Sequence, residues 1–332
     1  MKKFITTYIV LFFQLNFLFT QDIHFSQQFI HPLALNPSLT GNYPGEWRAT
    51  AFYRNQWQSV TLPYRTYSLS GERNFLLSSD SSISFGAVIM QDITGDSRFN
   101  TLVFNLSSAR QIYTNKDSTL EIRVGIQPGI TQRSIREDRL RFDKQYNGWQ
   151  YDPSLPTGEN FNRFSFFNFN LNTGINIQYQ LNENIKLSGG IGAFNLFPQK
   201  ETFYNEKNIR DRRWIVHTSS DWRVNPVWSV LPFLSCQTQG KYKELIYGLS
   251  GKYKYNMDLN LYAGLYARNK DAFYFRLAAD YQRWHVSVSY DLNYSLLVPA
   301  SRGRGGIELG IIYIYSKFRP KFVKHKHCPV FL

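Results

Sequence analysis

Apolar and polar positions alternate along much of this chain, most clearly between Leu259 and Tyr315. Trp284, Val286, Val288, Tyr290 and Leu292 alternate with His285, Ser287, Ser289 and Asp291. Phe273, Phe275, Leu277, Ala279 and Tyr281 alternate with Tyr274, Arg276, Ala278 and Asp280, and the runs Leu259–Arg268 and Ile307–Tyr315 repeat the scheme. A period of two puts each set on one face of a β-strand. One face is apolar with aromatic ends; the other is polar, small or charged. The fold class is therefore all-β. A soluble sandwich would bury the apolar face, whereas a transmembrane barrel would turn it to lipid over strands of about ten residues. Three features select the barrel. The runs exceed the five or six residues usual in soluble strands. Aromatic residues gather at strand ends, as in interfacial girdles. Many runs share the pattern, with almost no helical signal between them.

Further candidate strands are Trp47–Trp57, Tyr64–Arg73, Ser82–Asp92, Phe99–Gln111, Thr119–Gln132, Phe164–Gln180, Asn184–Asn195, Asp211–Arg223, Val227–Gln239 and Tyr242–Tyr255. With the four above they make about 14 antiparallel strands, an even number as single-chain bacterial barrels require. The connections agree. Arg133–Arg163, Leu196–Arg210 and Asn293–Arg304 are long and odd-numbered, and the even-numbered ones are short. Long external loops alternating with short periplasmic turns give this parity. The sequence thus divides into a signal peptide (1–20), an N-terminal segment (21–46), a transmembrane β-barrel (47–316) and a basic periplasmic tail (317–332). The segment 21–46 carries turn chemistry at His31-Pro32, Asn36-Pro37 and Gly41-Asn42. It is expected either in the lumen or on the periplasmic side.

Composition narrows the choice. Aromatics make up 17% of the chain, which suits two girdles. Beyond the N-terminus no apolar run reaches the roughly 18 residues of a spanning helix. Lys2 and Lys3 before the apolar stretch Phe4–Phe19 have the layout of a secretory signal, with cleavage expected near Thr20. The net charge is +14. Export excludes nucleic acid as its partner and leaves anionic lipid or an acidic protein. Part of the excess lies in the tail, where Lys317, Arg319, Lys321, Lys324 and Lys326 occur without an acidic residue. That tail suits an acidic periplasmic partner or anionic headgroups, or else is a solvated end. Cys236 and Cys328 do not form a disulfide framework.

At His24-Phe25-Ser26-Gln27 the chain begins to resemble a known family. The likeness continues through Leu35-Asn36-Pro37-Ser38-Leu39-Thr40-Gly41, Tyr53-Arg54-Asn55-Gln56-Trp57, Asp92-Ile93-Thr94-Gly95, Gly303-Arg304-Gly305-Gly306-Ile307-Glu308 and Cys328-Pro329. These runs resemble the PorP/SprF family of type IX secretion system membrane proteins. Gln58, where the family often has Pro, and Val330, where it often has Arg, depart from the pattern. The resemblance implies a multi-pass outer-membrane barrel that supports secretion, or the surface attachment of a secreted adhesin such as a gliding-motility protein. It also implies partners among the periplasmic ring and motor components of that machinery, besides outer-membrane lipid. It does not name the cargo. The alternative is a channel for small or apolar solutes.

No catalytic chemistry is expected. His285, Ser287, Ser289 and Asp291 share one strand face, but neighbours on such a face lie about 6.6 Å apart, too far for a hydrogen-bonded relay. No cofactor is expected, no His/Cys cluster has zinc spacing, and Asp92–Asp96 reads as a turn with too few carboxylates for calcium. Glu121, Arg123, Lys186, Arg268, Arg276, Asp280 and Asp291 fall on the inward face as a charged lumen network. Arg54, Asn55, Gln56 and Trp57 at the outer end of the first strand read as girdle and lumen salt bridge, or as a lock to an outer loop or contact with cargo. Gly303, Arg304, Gly305 and Gly306 read as a flexible entry into the closing strand.

Overall fold

Sidedness is set strand by strand by the alternation. In β1 (Trp47–Gln56) the residues Arg48, Thr50, Phe52 and Arg54 are buried, while Trp47 and Ala49 face outward. The same rule builds β2 (Tyr64–Ser78), β3 (Ser81–Thr94), β4 (Phe99–Tyr113), β5 (Leu120–Ser134), β6 (Ser165–Asn182) and β7 (Ile185–Phe194). After a small ribbon of β8 (Gln199–Lys200) and β9 (Ile209–Arg210) come β10 (Arg213–Arg223), β11 (Trp228–Gln239), β12 (Tyr242–Lys254) and β13 (Leu259–Arg268). The last are β14 (Ala272–Tyr281), β15 (Trp284–Asn293) and β16 (Arg304–Tyr315). This computed structural model describes residues 25–58, 62–78, 81–95, 97–114, 119–204, 208–295 and 298–316. The stretch 1–20 expected to be a signal peptide, His24, Asp96, and the tail with Lys317, Arg319, Lys321, Lys324, Lys326, Cys328 and Pro329 lie outside the described residues.

Fourteen strands close into one barrel, and among the described residues the β8–β9 ribbon forms a separate two-stranded sheet. Each pairs antiparallel with its neighbours in the chain, and β7 with β10. Closure runs from Trp47↔Tyr315 to Gln56↔Gly306, so no edge is left open. One end carries short turns, such as those between Asn182 and Ile185 and between Tyr281 and Trp284. The other carries the excursions 135–164 and 195–212. We call them the turn end and the loop end. No described helix is long and apolar enough to cross a membrane; the crossing is made by strands.

The outer wall is apolar where it meets lipid. Leu265 is 73% exposed, and Leu106, Val124, Ile191, Val216 and Leu277 are likewise exposed. Aromatic pairs mark the rim at the turn end, with Trp284 against Tyr313 and Trp228 against Tyr253. At the loop end Trp57 meets Tyr64 and Phe273 meets Tyr294.

Strand limits differ from the hydropathy reading at several points. β2 continues past Arg73 through Asn74 to Ser78, and β5 takes in Arg133. Asp92 lies within β3 opposite Thr66 rather than in a turn. Gly305 and Gly306 belong to β16, Gly306 opposite Gln56. Strand ends follow the ladder of partners in the neighbouring strand, which in β2 continues through Phe75 opposite Ile83 and Leu76 opposite Ser82.

From Phe25 the chain runs inside the barrel through two 3-10 turns and one α-helical turn, Pro32–Leu35. Leu35 and Leu39 pack with Phe194, Ile215, Phe233, Ile246, Tyr266 and Tyr274 of the wall. Phe25, Ile30 and Leu33 pack with Phe52, Val88, Met90 and Val103. The hydrophobic core is thus the contact between this segment and the inner wall. Irregular backbone is tolerated at membrane depth where protein surrounds it and satisfies its polar groups.

Candidate functional site: a segment lodged in the lumen

Three groups of barrel residues hold the segment. The first binds its start. Ser26 and Gln27 donate their backbone N–H groups to Glu308 Oε1 and Oε2, each at 2.8 Å. Ser26 Oγ donates to Asp291 Oδ2 at 2.7 Å and accepts from Arg268 Nη2 at 2.5 Å. Tyr274 donates its hydroxyl to the Ser26 carbonyl at 2.6 Å. Arg268 also pairs with Glu244 at 3.5 Å and Asp291 at 3.6 Å, and Arg54 lies 3.4 Å from Glu308. A carboxylate accepting backbone N–H groups in a water-poor interior makes strong, directional bonds.

The second group receives the Asn36-Pro37-Ser38 turn. Asn36 caps the 3-10 turn through Oδ1, which accepts from Ser38 N at 3.0 Å and Ser38 Oγ at 2.7 Å. Its Nδ2 donates to the Ile175 carbonyl at 3.0 Å and lies 3.1 Å from His217 Nε2. Glycines clear the space. A Cβ at Gly174 would sit 1.9 Å from Asn36 Oδ1, and one at Gly125 would sit 2.4 Å from the Pro37 carbonyl. Gly190 and Gly310 approach Asn36 and Ile30 in the same way. Gln127 donates to the Leu33 carbonyl at 3.1 Å, and the Thr40 and Ser107 hydroxyls hydrogen-bond.

The third group guides the chain out at the turn end. Gly41 N–H donates to Glu72 Oε2 at 2.8 Å, and Arg48 grips the same carboxylate through Nε and Nη2 at 2.7 and 2.8 Å. Asn74 Nδ2 donates to the carbonyls of Gly41 and Gly45. The chain then enters β1.

The lodged segment divides the lumen unequally. On the loop side a cavity of about 50 Å³ remains, beside Asn105, Gln127 and Asn172. On the turn side a vestibule of about 510 Å³ opens below Phe29, Ile30, Pro32, Leu35 and Leu39.

The residues singled out in the sequence disperse over this frame. Phe25, Ser26, Gln27, Asn36, Pro37 and Gly41 are all in the lumen segment and buried. Arg54 and Gln56 face the lumen, bonded to each other at 2.8 Å. Asn55 donates to Gln58 at 3.5 Å, and Trp57, at φ 59°, sits at the loop end. Asp92 accepts from Thr66 Oγ1 at 2.6 Å. Gly95 and Gly303 adopt φ of +64° and +76°, which glycine accepts without strain. Arg304 pairs with Leu292 in the ladder. Of the inward charges, Glu121 pairs with Arg123. Reading the sequence missed Glu72, Glu244, Tyr274, Gln127 and the cradle glycines.

His285 makes no relay with its strand neighbours. Its Nδ1 lies 2.5 Å from Asp280 Oδ1 and its Nε2 2.8 Å from Arg276 Nη2, both across the β14–β15 ladder. Among the described residues, the buried Ser287 and Ser289 hydroxyls meet no hydrogen-bond partner. Among the described residues, no group of three or more His, Cys, Asp or Glu is placed to hold a metal ion.

Comparison with known proteins gives one family and one fold. The family model for type IX secretion system membrane protein PorP/SprF matches residues 18–313. No curated protein matches the sequence. Among solved structures, the chain is similar to the Pseudomonas putida toluene transporter TodX, at TM-score 0.55 and 11% identity over 85% of this chain and 92% of that one. It is also similar to the Ralstonia pickettii toluene transporter TbuX, at 0.52 and 8%, covering 85% and 92%. A Pseudomonas aeruginosa FadL homologue gives 0.52 and 9%, covering 84% and 93%. At these identities the likeness is one of fold: a closed transmembrane barrel of the outer-membrane type.

Proposed function

The chain belongs to the PorP/SprF family of type IX secretion system membrane proteins, and we propose that it acts there as a closed, non-enzymatic barrel supporting the secretion or surface attachment of one secreted cargo. A gliding or adhesion protein is the cargo class we favour. The observation that carries this reading is the lumen segment, whose Ser26–Gln27 backbone is bonded to Glu308 and whose Asn36 turn sits in a glycine cradle. A barrel of fourteen strands is wide enough to need a filling. Here its own chain supplies it.

The parity of the connections supports the turn end facing the periplasm, where ring and motor components would meet it. The long loop 135–164 would then face outside, toward cargo. The exported N-terminus and the basic tail, with Lys317, Arg319, Lys321, Lys324, Lys326, Cys328 and Pro329, complete the proposed contacts. The test is a pull-down of tagged protein from solubilised outer membrane, with and without residues 317–332, joined to planar-bilayer recording. Recovery of secretion-apparatus proteins or one large adhesin, with no steady single-channel current, is expected. Recovery of the barrel alone together with a large steady current would overturn the reading.

A second reading has one observation in its favour. The vestibule is largely apolar, and several proteins of similar fold are named as hydrocarbon channels or toluene transporters. The same bilayer recording, with apolar solute uptake into vesicles, tests it.

A further inference from the structure

The vestibule has a roof, a wall and a mouth of different chemistry. Its roof is the apolar underside of the lumen segment, Phe29, Ile30, Pro32, Leu35 and Leu39. Phe233 and Leu231 of β11 continue it, as do Ile312 and Ile314, which face inward from β16. The wall carries hydrogen-bonding groups, among them Gln178, Ser188, Ser219 and Ser250. Toward the mouth the cavity meets a second hollow of about 800 Å³ bordered by Arg223, Lys252 and Lys254, with Asp221 common to both. Lys186 lines the vestibule nearby. Lys186, Arg223, Lys252 and Lys254 thus border the two hollows together with the carboxylates Asp221 and Asp280. Among the described residues, no ion pair within 4.0 Å joins Lys186, Arg223, Lys252 or Lys254 to a carboxylate.

We propose that the vestibule is a docking site for an acidic peptide segment of a partner protein, with an apolar or aromatic side chain entering under Phe29 and Leu35 and flanking carboxylates at Lys186, Arg223, Lys252 and Lys254. The cavity of about 510 Å³ holds a few residues rather than a folded domain. These four cations, in excess over Asp221 and Asp280, supply charge complementarity, which steers association and fixes register. A peptide is favoured over a lipid tail, because a main chain entering the lumen must find partners for its N–H and C=O groups, and the Ser219 hydroxyl and the remaining lone pairs of Gln178, Ser188 and Ser250 can supply them. The opening is to the aqueous side at the turn end, not through the lipid-facing wall.

This inference rests on the reading that the turn end faces the periplasm. The two are tested apart. A cysteine at Met257, 96% exposed in the turn after β12, is introduced with Cys236→Ser and Cys328→Ser. Labelling by an impermeant maleimide only after the outer membrane is permeabilised supports the orientation; labelling in intact cells overturns it.

For the site itself, a benzoylphenylalanine photo-crosslinker replaces Leu231 in the full chain, in its native outer membrane. A lipid-facing control carries the crosslinker at Trp214. Adducts are sequenced by mass spectrometry. The expected result at position 231 is a peptide adduct in which an apolar or aromatic residue is flanked by Asp or Glu. The adduct should fall at least tenfold in the Lys252→Glu, Lys254→Glu protein, whose folding is checked by heat-modifiable migration. Position 214 should give lipid adducts alone. A lipid adduct at 231, no adduct there while 214 reacts, a peptide without acidic residues, or an adduct indifferent to charge reversal would each overturn the proposal. The pull-down of secretion components could still succeed in any of these cases.

Discussion

Replacing Gly174 with valine separates the barrel from the segment it encloses. Gly174 lies in β6 with its inner side against Asn36, where an added Cβ would sit 1.9 Å from Oδ1 and 2.9 Å from Cγ. For the strand alone the change is favourable, since a β-branched residue replaces glycine, on a propensity scale spanning about 1 kcal/mol. For the lumen segment it is not. The Asn36 side chain takes part in four hydrogen bonds, to Ser38 N, Ser38 Oγ, the Ile175 carbonyl and His217. At a net ~0.5–1.5 kcal/mol each, losing them costs about 2–6 kcal/mol. Leu35 and Leu39, buried on either side of Asn36, must shift with it. Amide hydrogen exchange resolves the outcome, because it reports local opening free energies rather than global unfolding alone. Protection of residues 32–42 should fall by roughly 30-fold to 10⁴-fold, since each 1.4 kcal/mol is about tenfold. The strand amides should keep theirs. Brief channel openings should appear in planar bilayers. Gly71→Val is the control: Gly71 faces outward, and nothing lies within 4 Å of a Cβ added there. If Gly174→Val and Gly71→Val show the same protection of residues 32–42 in folded barrels, the cradle argument is wrong. Gly125→Val should act on the same turn. The double variant should then cost less than the sum, because both glycines contact one element.

Glu308→Ala should loosen Ser26 and Gln27 by about 3–5 kcal/mol, because it removes the acceptor of two backbone N–H groups and a buried charge partner. Limited proteolysis near Phe25 would show it, and Glu308→Gln, which keeps an acceptor oxygen, should be milder. Arg48→Ala and Glu72→Ala should each destabilise the barrel by more than half as much as the double variant does. Thermal denaturation of the four proteins gives the coupling, expected to exceed roughly 1.5 kcal/mol for a buried two-point pair. Leu265→Arg, on the lipid face, should cost about 2–4 kcal/mol in urea titrations from lipid vesicles if that position lies near the midplane.

The strands were legible because lipid and lumen impose opposite chemistries on adjacent residues. Leu265 and Leu277 face out and Arg268 and Arg276 face in, and period two alone separates them. Two inward apolar residues, Ile312 and Ile314, broke the pattern in β16, and they line the vestibule. Glu308 stood in that strand as a single acid among apolar residues, which gave its face but not its partner. Its bond to Ser26 N spans 282 positions, and no local signal encodes such a distance. The glycines were less legible still. Gly125, Gly174 and Gly190 look like weak points in strands, and their purpose appears only when Asn36 and Pro37 are placed against them. Family resemblance marked Asn36, Pro37 and Gly41 as notable without saying which chemistry they serve.

A lumen of this width is filled by water, by long side chains or by more chain. Inward glycines on β5, β6 and β7 exclude the second solution on that side of the wall, and the lumen segment occupies the space they leave. Ordering that segment costs about 1–2 kcal/mol of backbone entropy per residue. Its tether to β1 keeps the docking intramolecular, so no translational entropy is lost in assembling it. Apolar burial of Phe25, Ile30, Leu33, Leu35 and Leu39 opposes that cost, and Glu308, Asn36 and Glu72 fix the register. A cavity of about 50 Å³ lies on the loop side and one of about 510 Å³ on the turn side, beneath an apolar roof. The turn-side cavity, with its excess of cations, is the place where a second molecule could complete the packing.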